Sequence, residues 1–144
     1  MVQATDTFSA EETVKIWNEK QFELLEKHFA PDVVVYNVGV DETFEGRDEF
    51  RGWIEGNLAA FPDMTVHLDD VYAGEDFSIS RWTVTGTHEG PLEAIGLPAT
   101  GNEVEFEGVT IYTLEDGMVT EAWWYTDMLG LMTQLGAIPE RESE

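Results

Sequence analysis

With 42% hydrophobic and 12% aromatic residues, this chain of 144 residues can build a packed core and is too apolar to be disordered throughout. Thirty acidic residues against seven basic, a formal net charge of −23, repel phosphate backbones and anionic lipid and so disfavour nucleic-acid and membrane-surface roles. There is no cysteine, which excludes disulfides and thiolate metal sites, and His28, His67 and His88 lack ligand-pair spacing, so no metal centre is expected.

Ser9 followed by Glu12 is a capping-box signature that opens a helix over Ala10 to Lys27, with a break expected near Glu19 to Gln21. Val14, Trp17, Phe22, Leu24, Leu25 and Phe29 recur near helical spacing. Ala30-Pro31-Asp32 ends that segment, Val33 to Val38 is a β-branched run, and Gly39 to Gly46 reads as a turn-rich connection. A second helix spans Glu49 to Phe61, with Phe50, Trp53, Ile54 and Leu58 on one face and Pro62 as its stop.

Beyond Pro62 the period switches to two. Met64 to Ala73 and Phe77 to His88 are strands, joined by Gly74-Glu75-Asp76. Glu89 to Asn102, rich in glycine and proline, is an irregular surface loop. Glu103 to Leu114 and Met118 to Tyr125 form a hairpin across Asp116-Gly117. Met128 to Leu135 is a last helix, stopped by Gly136 and Pro139. The whole chain, residues 1–144, reads as one domain with frayed ends at about 1–8 and 140–144. Helices first and then successive antiparallel strands give an α+β architecture, with helices on one face of a curved sheet and a hollow between the layers.

No apolar run is long enough to span a bilayer, and the first residues carry neither a basic region nor an apolar segment, so a cytoplasmic protein is expected. The acidic residues are spread along the chain, a pattern that reads as adaptation to a salt-rich, halophilic cytoplasm where self-repulsion is screened.

Several stretches together carry a resemblance: Phe61-Pro62-Asp63, the run from Trp82 to Gly90, the run from Gly96 to Gly101, and the run from Asp116 to Trp123 followed by Asp127, Gly130-Leu131 and Gln134-Leu135-Gly136. In these the sequence resembles the SnoaL-like polyketide cyclases of the NTF2-like superfamily, over nearly its whole length. The resemblance implies an NTF2-like cone enclosing a pocket. It also implies a cofactor-independent cyclase or isomerase in which an aspartate, here Asp127, is the general acid/base. The strand from Glu103 to Leu114 holds no histidine beside it. The rival reading is a non-catalytic small-ligand-binding or association domain of the same fold.

Asp127 carries two readings. Directly before a helix it is a favoured N-cap. Beside Trp123 and Tyr125 at period two it is a desolvated base for proton abstraction next to a carbonyl. His88, at a strand end beside Gly90, is the second catalytic candidate, whereas His67 reads as structural and His28 as suited to a helix C-terminus. Trp17, Tyr36, Asn37, Trp53, Trp82, Phe106, Trp123 and Tyr125 are the candidates for contact with a small apolar carbonyl substrate. Trp124 points opposite to Trp123, and on an outer sheet face it would mark a homodimer contact.

Overall fold

Residues 8–137 are described by a computed structural model. In chain order they form α1 (Ala10–Asn18), α2 (Leu24–His28), β1 (Phe29–Asn37), β2 (Glu42–Glu45), α3 (Gly46–Ala60), β3 (Thr65–Ala73), β4 (Phe77–Thr87), β5 (Glu103–Glu115), β6 (Met118–Thr126) and α4 (Met128–Gln134). The frayed termini and the stop at Pro139 fall outside these residues, apart from Phe8, whose ring packs edge-on against His28 and Tyr112 at 5.5 and 5.1 Å.

The six strands make one sheet in the order β2-β1-β6-β5-β4-β3. All neighbours are antiparallel except β1 and β6, which run parallel. Four helices on this curled mixed sheet form the α+β cone expected from the sequence. Two boundaries differ. The stretch read as a turn-rich connection contains β2, which pairs with β1 from Val34↔Glu45 to Asn37↔Glu42 and supplies an edge strand. β1 begins at Phe29, because Pro31 is tolerated in an extended segment that a register shift interrupts between Phe29 and Val34.

The first helical segment breaks where the spacing places it. Lys20 adopts a left-handed φ of 56°, which turns the chain between α1 and α2. Ser9 caps α1 by accepting the Glu12 N–H at 3.2 Å, but the Glu12 carboxylate does not reach back. It bridges His28 Nε2 at 2.7 Å and Lys27 Nζ at 3.0 Å, so that α1 and α2 are joined side by side. α3 buries Phe50, Ile54 and Leu58 on one face and is tied at its start by Arg47, which donates to the Phe29 carbonyl at 2.8 Å.

Two side-chain amides imitate strand edges. Asn18 donates to the Val66 carbonyl at 2.9 Å and accepts the Val66 N–H at 2.7 Å, docking α1 on β3. Gln134 makes the same exchange with Glu105, at 2.8 and 2.7 Å, and docks α4 on β5. The β5–β6 hairpin closes at Asp116 and Gly117, both at positive φ (53° and 78°), as an Asp-Gly turn of this twist requires. With its rim tied by these docks, the sheet curls around the helices and leaves a hollow against its covered face.

Candidate active site

Alternation decides what faces the hollow. On β4 the residues Ser80, Trp82 and Val84 point inward, on β5 Phe106, Thr110 and Tyr112, and on β6 Trp124 and Thr126. α1 contributes Thr13, Val14 and Trp17, and α3 contributes Trp53 and Asn57, one turn apart. Together they bound a cavity of about 70 Å³. Its aromatic wall is interlocked: Trp53 meets Trp17 at 5.6 Å and Trp124 at 5.3 Å, both edge-on.

A wider groove of about 730 Å³ adjoins it and shares Trp53, Asn57, Phe106 and Thr126 with the inner cavity. The groove is edged by Asn37, Glu42 and Glu49 on one side and by Pro91, Leu92 and Ile95 of the loop after β4 on the other, with Met128 and Leu131 of α4 at its end. Asn37 is buried and donates to the Glu42 carboxylate at 3.2 Å.

The inner cavity is apolar but contains hydroxyls. Trp82 Nε1–H donates to Thr110 Oγ1 at 2.8 Å. Ser80 is buried, and its Oγ has no hydrogen-bond partner among the described residues. Burial pushes the Tyr112 phenol well above its usual pKa, against the smaller opposing effect of Thr13, so it stays a neutral donor. Lys, Arg, His, Asp and Glu are all absent from the lining of this inner cavity. Among the described residues, no three His, Asp or Glu side chains converge in a way that could hold a metal ion.

Asp127 sits between Thr126 and Met128, which edge the groove, and is itself exposed. Its Oδ1 accepts the Gly130 N–H at 3.0 Å, so it caps α4, while its own N–H donates to the Glu107 carbonyl at 2.9 Å. Among the described residues, Oδ2 accepts no hydrogen bond. Trp123 and Tyr125 do share a face at period two, but that face is the outer one. Trp123 stacks on Tyr36 at 5.3 Å, and Tyr125 is 44% exposed.

The face assignment therefore reverses for β6. Trp124 lines the cavity, and Tyr36, Trp123 and Tyr125 lie away from it, because α1 and α3 cover the face that carries Trp124. Trp17, Trp53, Trp82 and Phe106 line the cavity, and Asn37 lines the groove. His88 is fully buried outside both, ring against Phe61 at 5.3 Å. Its Nδ1 accepts the Thr100 N–H at 3.2 Å, and Gly101 N–H donates to its carbonyl at 2.8 Å. Burial lowers its pKa, partly offset by the Gly90 carbonyl. This neutral imidazole clasps the base of the loop that edges the groove.

Sequence reasoning missed Ser80, Thr110 and Tyr112. Their parity with Trp82 and Phe106 was a signal, since residues two apart on a strand share a face.

A family model described as SnoaL-like polyketide cyclase matches residues 9–135. Among solved structures, the chain is similar to AclR, a candidate hydroxylase from Streptomyces galilaeus, at 33% identity and a TM-score of 0.77, covering 92% of this chain and 82% of that one. It is similar to IdmH, a candidate polyketide cyclase from Streptomyces antibioticus, at 27% identity and a TM-score of 0.71, covering 85% and 92%. A protein of ketosteroid isomerase-like fold from Catenulispora acidiphila, 17% identical with a TM-score of 0.73 over 90% and 95% of the two chains, shares the fold. No protein of curated function matches the sequence.

Proposed function

The chain belongs to the SnoaL-like polyketide cyclase family, and from that premise we propose that it is a cyclase- or isomerase-type enzyme that acts, without a cofactor, on a small, mostly apolar carbonyl compound. The observation that carries this reading is an apolar inner cavity that shares four lining residues, Trp53, Asn57, Phe106 and Thr126, with the adjoining groove. Apolar rings of substrate occupy the space between Trp17, Trp53, Trp82 and Phe106, and the Asn37 amide contacts a substrate oxygen in the groove.

In this reading Asp127 is the general acid/base. It removes a proton from the carbon beside a carbonyl, and the electron pair moves onto the carbonyl oxygen as an enolate. The same group then returns a proton to carbon or oxygen, so no redox partner is needed. Oδ1 is held by the Gly130 N–H, and Oδ2, which accepts no hydrogen bond among the described residues, takes the proton. Thr126 and Met128, on either side of it, bring the reacting carbon to the groove edge.

Exchange of the α-protons of 2-tetralone in D2O, followed by NMR, tests the assignment. Wild-type protein is expected to accelerate exchange, and Asp127→Asn to lose about 10²- to 10⁴-fold. An unchanged rate in that variant overturns the role of Asp127. The exposure of Asp127 and the lack of any carboxylate around the inner cavity favour a second reading, a binding-only domain. That reading predicts binding of the ketone with exchange at the buffer rate.

The protein in this reading is a homodimer. On the uncovered sheet face, Tyr72, Ile79, Ile111, Trp123 and Tyr36 form one row of direct cross-strand partners across five strands. An apolar row of that length, with Tyr72 60% exposed, is covered by a second copy. The acidic surface fits a salt-rich cytoplasm, where counterions screen it.

A further inference from the structure

The floor of the inner cavity has a feature that apolar binding does not require. Ser80 on β4 and Thr110 on β5 are direct cross-strand partners, and Tyr112 follows two residues on along the same face. All three are buried, at 4%, 1% and 4% exposure. Ser80 Oγ has no hydrogen-bond partner among the described residues. Thr110 Oγ1 accepts the Trp82 indole N–H at 2.8 Å, and its own proton has no acceptor among the described residues. The Tyr112 phenol keeps its proton. Ser80, Thr110 and Tyr112 therefore share one sheet face of a cavity whose other lining is mostly aromatic and aliphatic, with Thr13, Asn57 and Thr126 as its remaining polar groups.

We propose that Ser80, Thr110 and Tyr112 form a specificity subsite that hydrogen-bonds one neutral carbonyl oxygen of the ligand at the closed end of the cone. This rests on the reading of the cone as a substrate cavity and deepens it. A buried hydroxyl without a partner is unfavourable, and a ligand oxygen beside Ser80 supplies one. No cationic side chain lines the cavity to balance a carboxylate or phosphate, and no anionic one to balance an amine, so the oxygen must be uncharged. A carbonyl oxygen offers two lone pairs to the donors, whereas a hydrocarbon leaves the Ser80 hydroxyl without a partner and the Thr110 proton without an acceptor among the described residues. At about 70 Å³ the inner cavity holds one end of a ligand, and the groove holds the rest.

The test compares 2-tetralone with tetralin, which has the same two rings without the oxygen. Both are titrated into the full chain while the indole N–H resonances of Trp82 and its neighbours are followed by NMR. Wild type is expected to bind the ketone about tenfold more tightly, with the Trp82 indole signal shifting because its acceptor, Thr110, acquires a new partner. Ser80→Ala is expected to bring the preference to within about threefold and to leave tetralin affinity within about twofold, since only a polar contact is lost. Tyr112→Phe, a second variant, should erode the preference in the same direction. Equal binding of the two compounds by wild type, or a full preference surviving in both variants, overturns the subsite while the cavity reading stands. If neither compound moves the indole signals of Trp17, Trp53, Trp82 or Trp124, the cavity reading fails and the subsite with it.

Discussion

Asp127 and Gly130 are matched to each other. The Asp127 carboxylate accepts the Gly130 N–H at 3.0 Å, and a Cβ on residue 130 would run into that carboxylate. Glycine at the third position of α4 is thus the counterpart of the aspartate at its N-cap. The two candidate roles of Asp127, cap and base, use different oxygens of one group.

Gly130→Ala is expected to push the carboxylate off its bond and to destabilise the protein by about 1 kcal/mol, the usual worth of an N-cap. Asp127→Asn should keep the cap and change stability by less than about 0.5 kcal/mol, because Asn caps as well as Asp. Urea unfolding of both variants checks this. It also separates a chemical loss in Asp127→Asn from a folding defect.

Trp82 and Thr110 make a buried donor–acceptor pair. Thr110→Val removes the acceptor of the buried indole N–H and is expected to cost about 1–3 kcal/mol. Gly108, opposite Trp82, permits this packing, since a Cβ there would strike both the Trp82 ring and the Tyr125 carbonyl. Gly108→Ala should therefore lower Tm and move the Trp82 indole resonance. A variant with native Tm and an unmoved indole signal would contradict the close approach.

Acid stability has two separate origins. The His28 hydrogen bond and then Lys27 hold Glu12 down to about 2 from an ordinary 4.5. The folded state thus resists protonation that the unfolded chain accepts, and stability present above pH 4.5 is lost as pH falls from 4.5 towards 2. Asp63, lowered by the Thr87 N–H and hydroxyl, acts in the same direction. His88 has its ordinary value at 6.5 and is lowered by burial, so the unfolded chain gains a proton first and stability falls as pH drops below 6.5. Unfolding measured from pH 7.5 to 3 should decline in these two steps. Glu12→Gln should flatten only the lower one, and His88→Gln only the upper.

Trp123→Glu places a charge in the middle of the outer apolar row. If the proposed dimer forms through this row, sedimentation should report a dimer for wild type and a monomer for the variant, with the fold retained, because Trp123 does not line the cavity. A variant that stays dimeric would place the contact elsewhere.

With a net charge of −23, the unfolding free energy should rise with added KCl over the range in which the Debye length falls from about 10 to 3 Å. A flat response would remove the halophilic reading.

Much of this was legible without coordinates. Ser9 as cap, the break before Gln21, the Asp-Gly hairpin, the alternating strands and the helix after Asp127 are local matters. Backbone preference and the spacing of apolar side chains within one element decide them. Alternation also establishes that Trp123 and Trp124 lie on opposite faces. It does not say which face is inside, because a pleated strand is equivalent on its two sides until something covers one of them. That choice is made by α1 and α3, which set Trp17, Phe50 and Trp53 against Trp124 and leave Trp123 stacked on Tyr36 outside. The edge strand β2, the parallel pairing of β1 with β6 and the bond from Trp82 to Thr110 likewise come from contacts between segments far apart in the chain. Their energies belong to packing between elements, and no single stretch of sequence contains them.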